Sequence, residues 1–438
     1  MRRLAWAWLA LSSVLLVALV GATRPRYGGT LNVELSAPST VLDPVKAGHL
    51  SYAIAETLVR VDKRGIVEPQ LALAWQHEAD YKRWRFSLRP KVAFHDGELL
   101  TAASAEPALL AALRKKFPDV TVTAGGQTLV IQFEHAMREL LAELARPETA
   151  VFRKSATNSI IGTGPFRVVG WEPGRRLELA AFEDYWGGRP FLDSVVINFA
   201  AAPGRTDIFD IPFGSTHRVV PEGTRTWVSP PSKLIALLAA NPQSTLLQAL
   251  SLAIDRTPIV NVLTQRRGEE AFGILPQWLS GYAFLFQTAP DVARAKQLIS
   301  QLRLPAISLT YPASDSFARA VAERVALNAR DAGITIQPTT NPGGSLTLVR
   351  WSLESADAAS ELERLLGLLS TADRGGSIDP AKPETLFQTE RELLDDHRVI
   401  PLVYLPEIYG LAPRVHNWEA GQKRDPFRLS LADLWVDP

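Results

Sequence analysis

The chain has 438 residues, with 47 Lys and Arg against 46 Asp and Glu, giving a net charge of +1. That balance leaves no electrostatic footprint for nucleic acid. The absence of cysteine excludes disulfides, thiolate metal sites, cysteine nucleophiles and a lipid-modified N-terminal cysteine. The length suits two or three domains with substantial cores.

Arg2 and Arg3 precede an apolar run from Leu4 to Val20, and Val20-Gly21-Ala22 offers small residues for cleavage. This is the pattern of a secretory signal over 1–22, with an uncleaved N-terminal membrane anchor as the alternative. Thr30 to Leu35 then alternates as a strand, followed by a loop through Ser39 and Thr40 and a turn at Leu42-Asp43-Pro44. A helix is expected from about Leu50 to Leu58, a strand over Val59–Asp62 and a turn at Lys63-Arg64-Gly65. Trp84 to Arg89 has period two. Asp96-Gly97 marks a turn. Thr101 is placed to cap a helix through Leu113, Thr121–Thr123 to pair with Leu129–Ile131 across Gly125-Gly126, and Met137–Leu144 to form another helix.

The central stretch runs from Gly162-Thr163-Gly164-Pro165-Phe166 to Tyr185-Trp186-Gly187-Gly188-Arg189-Pro190 and on to Asp193. Glycine and proline there suit a tight corner leading into strands. Gly162 to Gly164 is expected near a cleft floor, offering backbone groups to a ligand. From 195 to about 232 periodicity is poor and proline frequent, which reads as strands, turns and then a crossover linker. Beyond it helices and strands alternate. Asn241-Pro242 opens a helix with Leu246, Leu247, Leu250, Ala253 and Ile254 on one face. Asp291 opens another. Ile307–Tyr311, the helix Ser316–Ala332 and Ile334–Ile336 form a β-α-β unit, expected to be parallel. Leu346–Trp351 is a strand, Glu361–Leu369 a helix, Thr371–Gly376 an exposed loop, Pro383–Asp396 a helix and Ile400–Leu405 a buried strand. The tail from Leu429 to Trp435 is apolar enough to dock on a core.

Reaction machinery is sparse. The chain has no Gly-x-Ser-x-Gly elbow, no His-Glu-x-x-His and no phosphate-binding glycine loop. Its seven histidines show no metal-ligand spacing. His95 beside Asp96 reads as turn chemistry first and as a dyad second. Glu354 and Asp357 read as a solvated helix start before a carboxylate pair. Among eleven tryptophans, Trp351 is the candidate for a pocket wall.

Several blocks taken in order resemble the extracellular solute-binding proteins of family 5, the dipeptide, oligopeptide and nickel receptors of ABC importers. They are Gly28-Gly29-Thr30-Leu31, Leu42-Asp43-Pro44, Glu68-Pro69-Gln70-Leu71-Ala72 with Trp75, and Trp84 to Arg89. Phe94-His95-Asp96-Gly97 with Leu100-Thr101-Ala102 and the central stretch follow, then Ala249-Leu250 with Ala253-Ile254-Asp255-Arg256, Asp291 with Ala295-Lys296, and Ile400-Pro401-Leu402.

The resemblance implies an α/β fold of the type II periplasmic-binding-protein kind, in the cluster C architecture. Two α/β lobes are joined by hinge strands, with an additional α+β subdomain. Lobe one would comprise 23–49, 158–232 and 401–438, the inserted subdomain 50–157, and lobe two 233–400. The implied function is a non-enzymatic, monomeric periplasmic protein that needs no cofactor and no metal. It would close on a peptide-like or other small polar ligand and deliver it to an ABC importer's permease subunits in the inner membrane. The alternative is a degenerate member acting as a ligand sensor or envelope interaction protein. The residues expected at the ligand are Ser36, Ser39 and Thr40 after the first strand, Tyr52 as a wall, and Arg350, Trp351, Ser352 and Asp357 in lobe two. In peptide-binding relatives an aspartate near the last strand pairs with the ligand's amino terminus. Here the Asp-Pro element is missing, and Asp357 and Glu354 are the stand-ins.

Overall fold

The computed structural model describes residues 24–36, 39–42, 51–62, 66–155, 159–199, 205–214, 220–240, 244–282, 286, 289–302, 305–353, 357–369, 383–418 and 431–438. The signal segment, Asp43-Pro44, Lys63–Gly65, Asn241-Pro242, Glu354 and the Thr371–Gly376 loop lie outside the described residues.

The backbone of the molecule is an eleven-stranded mixed sheet. Its strands are β1 (Thr30–Glu34), β2 (Phe166–Glu172), β3 (Arg176–Ala181), β4 (Ser194–Asn198), β5 (Ile208–Asp210), β6 (Arg225–Ala239), β7 (Glu269–Glu270), β8 (Ile307–Thr310), β9 (Ile336–Thr339), β10 (Leu346–Ser352) and β11 (Val399–Leu411). The order is β2-β3-β4-β1-β5-β11-β6-β10-β8-β9, with β7 also on β11. The helices that matter below are α1 (Ala102–Leu113), α2 (Ser244–Ala253), α3 (Val292–Ile299), α4 (Ser316–Asp331), α5 (Ala358–Leu368) and α6 (Pro383–Asp395).

Two strands run the length of this arrangement. β6 and β11 pair antiparallel from Arg225↔Leu411 to Leu238↔Val399. The crossover linker expected near 232 is therefore part of a fifteen-residue strand. The buried strand expected to stop at Leu405 runs on to Leu411. The proline signal that suggested a linker falls where their register slips, between Val228, Pro231 and Lys233, with Pro231 opposite Pro406. Proline cannot donate to a ladder, so the two strands stay adjacent while their hydrogen bonding is interrupted around Pro231, and the register shifts once more between Ile235 and Ala236.

Four cores form around this frame. One joins β1, β3 and β4 to the C-terminal tail, where Leu431, Leu434, Val436 and Trp418 are buried. A second fills the 58–151 region, with Phe86, Phe94, Leu109 and Ile131 at its centre. The other two lie on opposite faces of the β6–β10–β11 segment: Leu237, Leu309 and Val321 under α2, α3 and α4, and Leu234, Trp351 and Leu362 under α5 and α6. Alternation along β6 divides them, since Ile235 and Leu237 enter one core while Leu234 and Ala236 enter the other.

Local signals account for most elements. Thr101 caps α1 and Ser104 returns the bond, a capping box. Asp291, Asp315 and Asp357 cap α3, α4 and α5 with a single bond each, accepting from the N–H of Arg294, Ala318 and Ser360. β8 and β9 are parallel neighbours. Two helices are shorter than their apolar patterns suggest. Only Ser51–Ile54 is helical in the 50–58 stretch, because Glu56 and Thr57 turn inward to bond. Only Leu140–Glu143 is helical in 137–144. The strand read at 334–336 is displaced to Ile336–Thr339.

Candidate functional site

Strand direction places the site. β1 is parallel to β5, and β5 is antiparallel to β11 with Asp210 opposite Tyr409. β10 is antiparallel to β6 with Ser352 opposite Lys233, and β8 is parallel to β10. The carboxyl ends of β1, β5, β8 and β10 thus all point at the level where β6 and β11 slip register. In open α/β sheets the crevice outside the strands' carboxyl ends is where ligands bind.

On the β1 side, Ser36 donates from its backbone N–H and its hydroxyl to Asp210 Oδ1, at 2.9 and 2.8 Å. At the crossing itself, Lys233 pairs with Glu407 at 3.2 Å. Tyr409 donates to the same carboxylate at 3.0 Å, and Glu407 N–H donates to Ser229 Oγ at 2.8 Å. On the β10 side, Arg350 pairs with Asp315 at 2.7 Å while Asp315 also caps α4. A loop leaving β5 reaches across to this half: Phe213 packs against Phe317, with ring centroids 5.6 Å apart. Ser316 Oγ donates to Gly214 O at 3.2 Å. Gly214 has φ +81° and no room for a side chain against Phe317, so glycine is required there.

The eight residues expected at a ligand do not converge. Ser36 stands at the crevice. Ser39 and Thr40 lie against the β2–β3 turn instead, where Gly174 N–H donates to Ser39 O. Tyr52 sits half-buried on the short 51–54 helix. Arg350 and Ser352 are at the crevice end of β10 and exposed, and Ser352 O accepts from Arg364 at 2.7 Å. Trp351 is not a pocket wall. It alternates to the other face of β10 and is buried with Leu362 and Leu365. Asp357 is the N-cap of α5 and accepts from Ser360 N–H. The structural partners Asp210, Asp315, Lys233 and Glu407 were not singled out from sequence. Only Asp315, directly ahead of the amphipathic Ser316–Asp331 helix, carries a local signal.

The central stretch has a different task. Gly162 and Gly164 pack so closely on the 53–55 backbone that a Cβ on Gly162 would collide with Ile54 O, and one on Gly164 would come within 2.7 Å of Ala53 O. Their backbone groups are spent inside the protein. Gly164 N–H donates to Ile54 O, and Gly162 N–H to His95 Nδ1 at 3.2 Å. His95 Nε2 bonds Gly164 O at 3.0 Å. This fixes the Nε2–H tautomer, and burial then holds the imidazole low, at about 4. Thr163 is fully buried. The stretch is a junction between inserted region and sheet, not a cleft floor.

Beneath it, Glu56 is 1% exposed and accepts four bonds. They come from Thr163 Oγ1 (2.9 Å), Tyr185 OH (2.9 Å), Trp186 Nε1 (2.8 Å) and Gln70 Nε2 (3.2 Å). Burial raises its pKa, and the four bonds work against that rise. His95 with Asp96 is thus structural, and Asp96 is bound by Arg153 at 2.8 Å. Among the described residues no group of three or more His, Cys, Asp or Glu is placed to hold a metal. The geometry offers paired charges and hydroxyls around a crevice, suited to holding a ligand.

Residues 67–210 match the model of the bacterial extracellular solute-binding proteins, family 5 middle region. A glutathione-binding protein, GsiB, from Pectobacterium atrosepticum is 24% identical, covering 92% of this chain and 86% of that protein. Over residues 67–210, then, the chain is similar to the family 5 extracellular solute-binding proteins. The nickel-binding protein NikA of Staphylococcus aureus is 29% identical over 204 residues, 43% of this chain and 40% of that protein. The oligopeptide-binding protein AppA from Bacillus subtilis, solved with a nonapeptide, superposes with a TM-score of 0.74 at 17% identity. That alignment covers 95% of this chain and all of AppA. The fold is the two-lobed, type II-like arrangement of these family 5 proteins. Family members are binding proteins that work with ABC importers. No helix among the described residues is long and apolar enough to cross a membrane.

Proposed function

We propose that this protein captures a peptide-like or other small polar ligand in the crevice between its two lobes, closes about β6 and β11, and presents the closed form to an ABC importer's permease. The observation that carries the reading is that the carboxyl ends of β1, β5, β8 and β10 all point toward the Val228–Lys233 stretch, where two of the three register shifts between β6 and β11 fall. Hinges are a few residues that absorb rotation between packed bodies, and Val228–Lys233 opposite Leu405–Glu407 is such a place. Lobe one as 23–49, 158–232 and 401–438, an inserted subdomain of 50–157, and lobe two as 233–400 suit this scheme. So do export through the 1–22 signal and action as a monomer.

Ser36 and Asp210 on one side and Arg350, Asp315 and Ser352 on the other are the residues we place at the ligand. Arg350 is already paired, so a ligand carboxylate would have to compete with Asp315 for it. The test is a thermal-shift screen of the protein without residues 1–22 against dipeptides to nonapeptides, glutathione, sugars and Ni²⁺ with histidine. A ligand at about 1,000 times its Kd stabilises by about 4 kcal/mol. A shift lost in Arg350→Ala and in Asp210→Ala supports the reading. No shift with any solute overturns it in favour of a sensor or envelope-interaction role.

A further inference from the structure

The inserted region touches the sheet on one border and the α5 half of the molecule on another. On this second border Lys116, just past α1, stands between two carboxylates of different origin. Its Nζ is 2.6 Å from Glu143 in its own region and 3.5 Å from Glu363 on α5. Glu143's side chain is 8% exposed, Glu363's 34% and Lys116's 45%. A cavity of about 280 Å³ surrounds this bridge. Phe117, His135, Met137 and Glu139 line it from the inserted region, and Asp357, Ser360 and Glu363 from the start of α5. The two bodies meet here through Lys116 and around a solvent-sized gap lined by polar and apolar side chains alike, and Arg146 of the inserted region adds a positive charge that acts on both Glu143 and Glu361 of α5.

We propose that Lys116 is a positioning residue for lobe closure: a clasp that belongs permanently to Glu143 and is shared with Glu363 only when α5 lies against the inserted region. The asymmetry of burial supports this. Glu143 is desolvated and keeps its cations, Lys116 in direct contact and Arg146 nearby, whatever the second body does, because a buried carboxylate left alone is costly. Glu363 is part-exposed and can be released to water at little cost. The Phe213–Phe317 contact on the other flank of the crevice is apolar and has no such partner exchange. The crevice is therefore fastened on one side by packing and on the other by a charge that salt can screen. The proposal rests on hinge closure as the mode of action, and adds the residue that biases it.

The chain's lack of cysteine makes the test direct. Spin labels at Ala103→Cys, on α1, and Glu392→Cys, on α6, report the distance between the two bodies by pulsed electron resonance, without any ligand. Glu363→Gln leaves Lys116 with Glu143 and removes only the clasp. It should shift the open-to-closed ratio by about two- to fivefold toward longer distances. High salt should do the same to the parent and nothing further to the variant. Lys116→Met should match Glu363→Gln in distance. Circular dichroism and amide exchange within 84–132 show that the inserted region remains folded. Distance distributions identical in parent, Glu363→Gln and Lys116→Met overturn the clasp. Variants that move the labels, in a protein that no solute stabilises, keep the clasp and remove the importer reading.

Discussion

The inserted region has two polar borders, and they are built on opposite principles. Toward the sheet it is held by Glu56, His95 and the glycines at 162 and 164, with four neutral donors on one carboxylate and both imidazole nitrogens bonded. Toward α5 it is held by Lys116 across a gap of about 280 Å³. The first border has these polar groups bonded to one another and its glycines in steric contact with backbone, so it has one arrangement. The second carries a charge with an alternative partner in water, so it has two. Packed, fully bonded interfaces rigidify and loosely solvated ones exchange. The difference teaches that the inserted region should move with the β1–β4 half and against the α5 half.

Breaking the rigid border should produce the largest effects. Gly162→Ala places a methyl against Ile54 O with backbone on both sides. Backbone cannot yield as a flexible side chain would. We expect a loss of about 4 kcal/mol, at the severe end for single substitutions, read by urea denaturation. Gly188→Ala serves as the reference, since no atom lies within 4 Å of its Cβ position, although its φ of +96° carries its own smaller strain. A Gly162 variant as stable as the Gly188 one would show that the junction is loose.

Glu56→Gln comes next. The carboxylate accepts from Tyr185 and Gln70 on one oxygen and from Thr163 and Trp186 on the other. An amide turns one of those oxygens into a donor facing donors, leaving two buried groups unpaired. The cost is about 3 kcal/mol, and the indole fluorescence of the folded protein should change at Trp186. Retained stability would mean that the site already holds the acid protonated, with a proton donated within the cluster.

How much of this was readable in advance follows from the range of each interaction. The strands at Thr30–Glu34, Arg83–Leu88 and Leu346–Ser352 and the caps at Thr101 and Asp291 are local, and period and capping chemistry reveal them. Gly162-Thr163-Gly164 was recognisable as a corner because glycine signals backbone need. Its partner was not, because His95 lies 67 residues away from Gly162. The crevice was the least legible part. Trp351 invited a pocket role by residue type, yet strand parity turns it into the core while Arg350 and Ser352 face outward. Asp210 and Ser36 meet only because β1 and β5 are neighbours in the sheet, a fact of topology with no local trace. The β6 strand was hidden by its own prolines, which interrupt the periodicity at the point where its register slips.

A pH experiment sharpens the rigid border further. His95 is held at about 4 by burial, against 6.5 for the free side chain. The fold therefore favours the neutral ring. The stability this brings is complete above 6.5 and is lost as pH falls from there through 4. The difference in unfolding free energy between the parent and His95→Gln should shrink by about 2 kcal/mol between pH 7.5 and 4, the full shift discounted for partial exposure. The parent's curve alone would mislead. Burial raises Glu390 to about 7, so that group contributes in the opposite sense, gaining stability as pH falls from 7 toward 4.5. A difference that stays constant with pH would show that folding leaves the ring's proton affinity at its free value, and that neither burial nor the Gly162 N–H bond favours the neutral form.

The exchanging border should give the smallest change in stability and the clearest dependence on salt. Glu363→Gln removes one of Lys116's two carboxylates, the part-exposed one, so global unfolding should move by no more than about 0.5 kcal/mol. The same substitution should raise amide exchange at the start of α5, after its Asp357 cap, and leave the 160–166 junction untouched. If exchange rises at both borders together, the inserted region and the α5 half unfold as one cooperative unit, and the two borders differ in chemistry without differing in what they permit. If it rises at α5 alone, a change worth a few tenths of a kcal/mol governs how the crevice opens. Changes ten times larger, on the other side of the same region, would then govern only whether it folds.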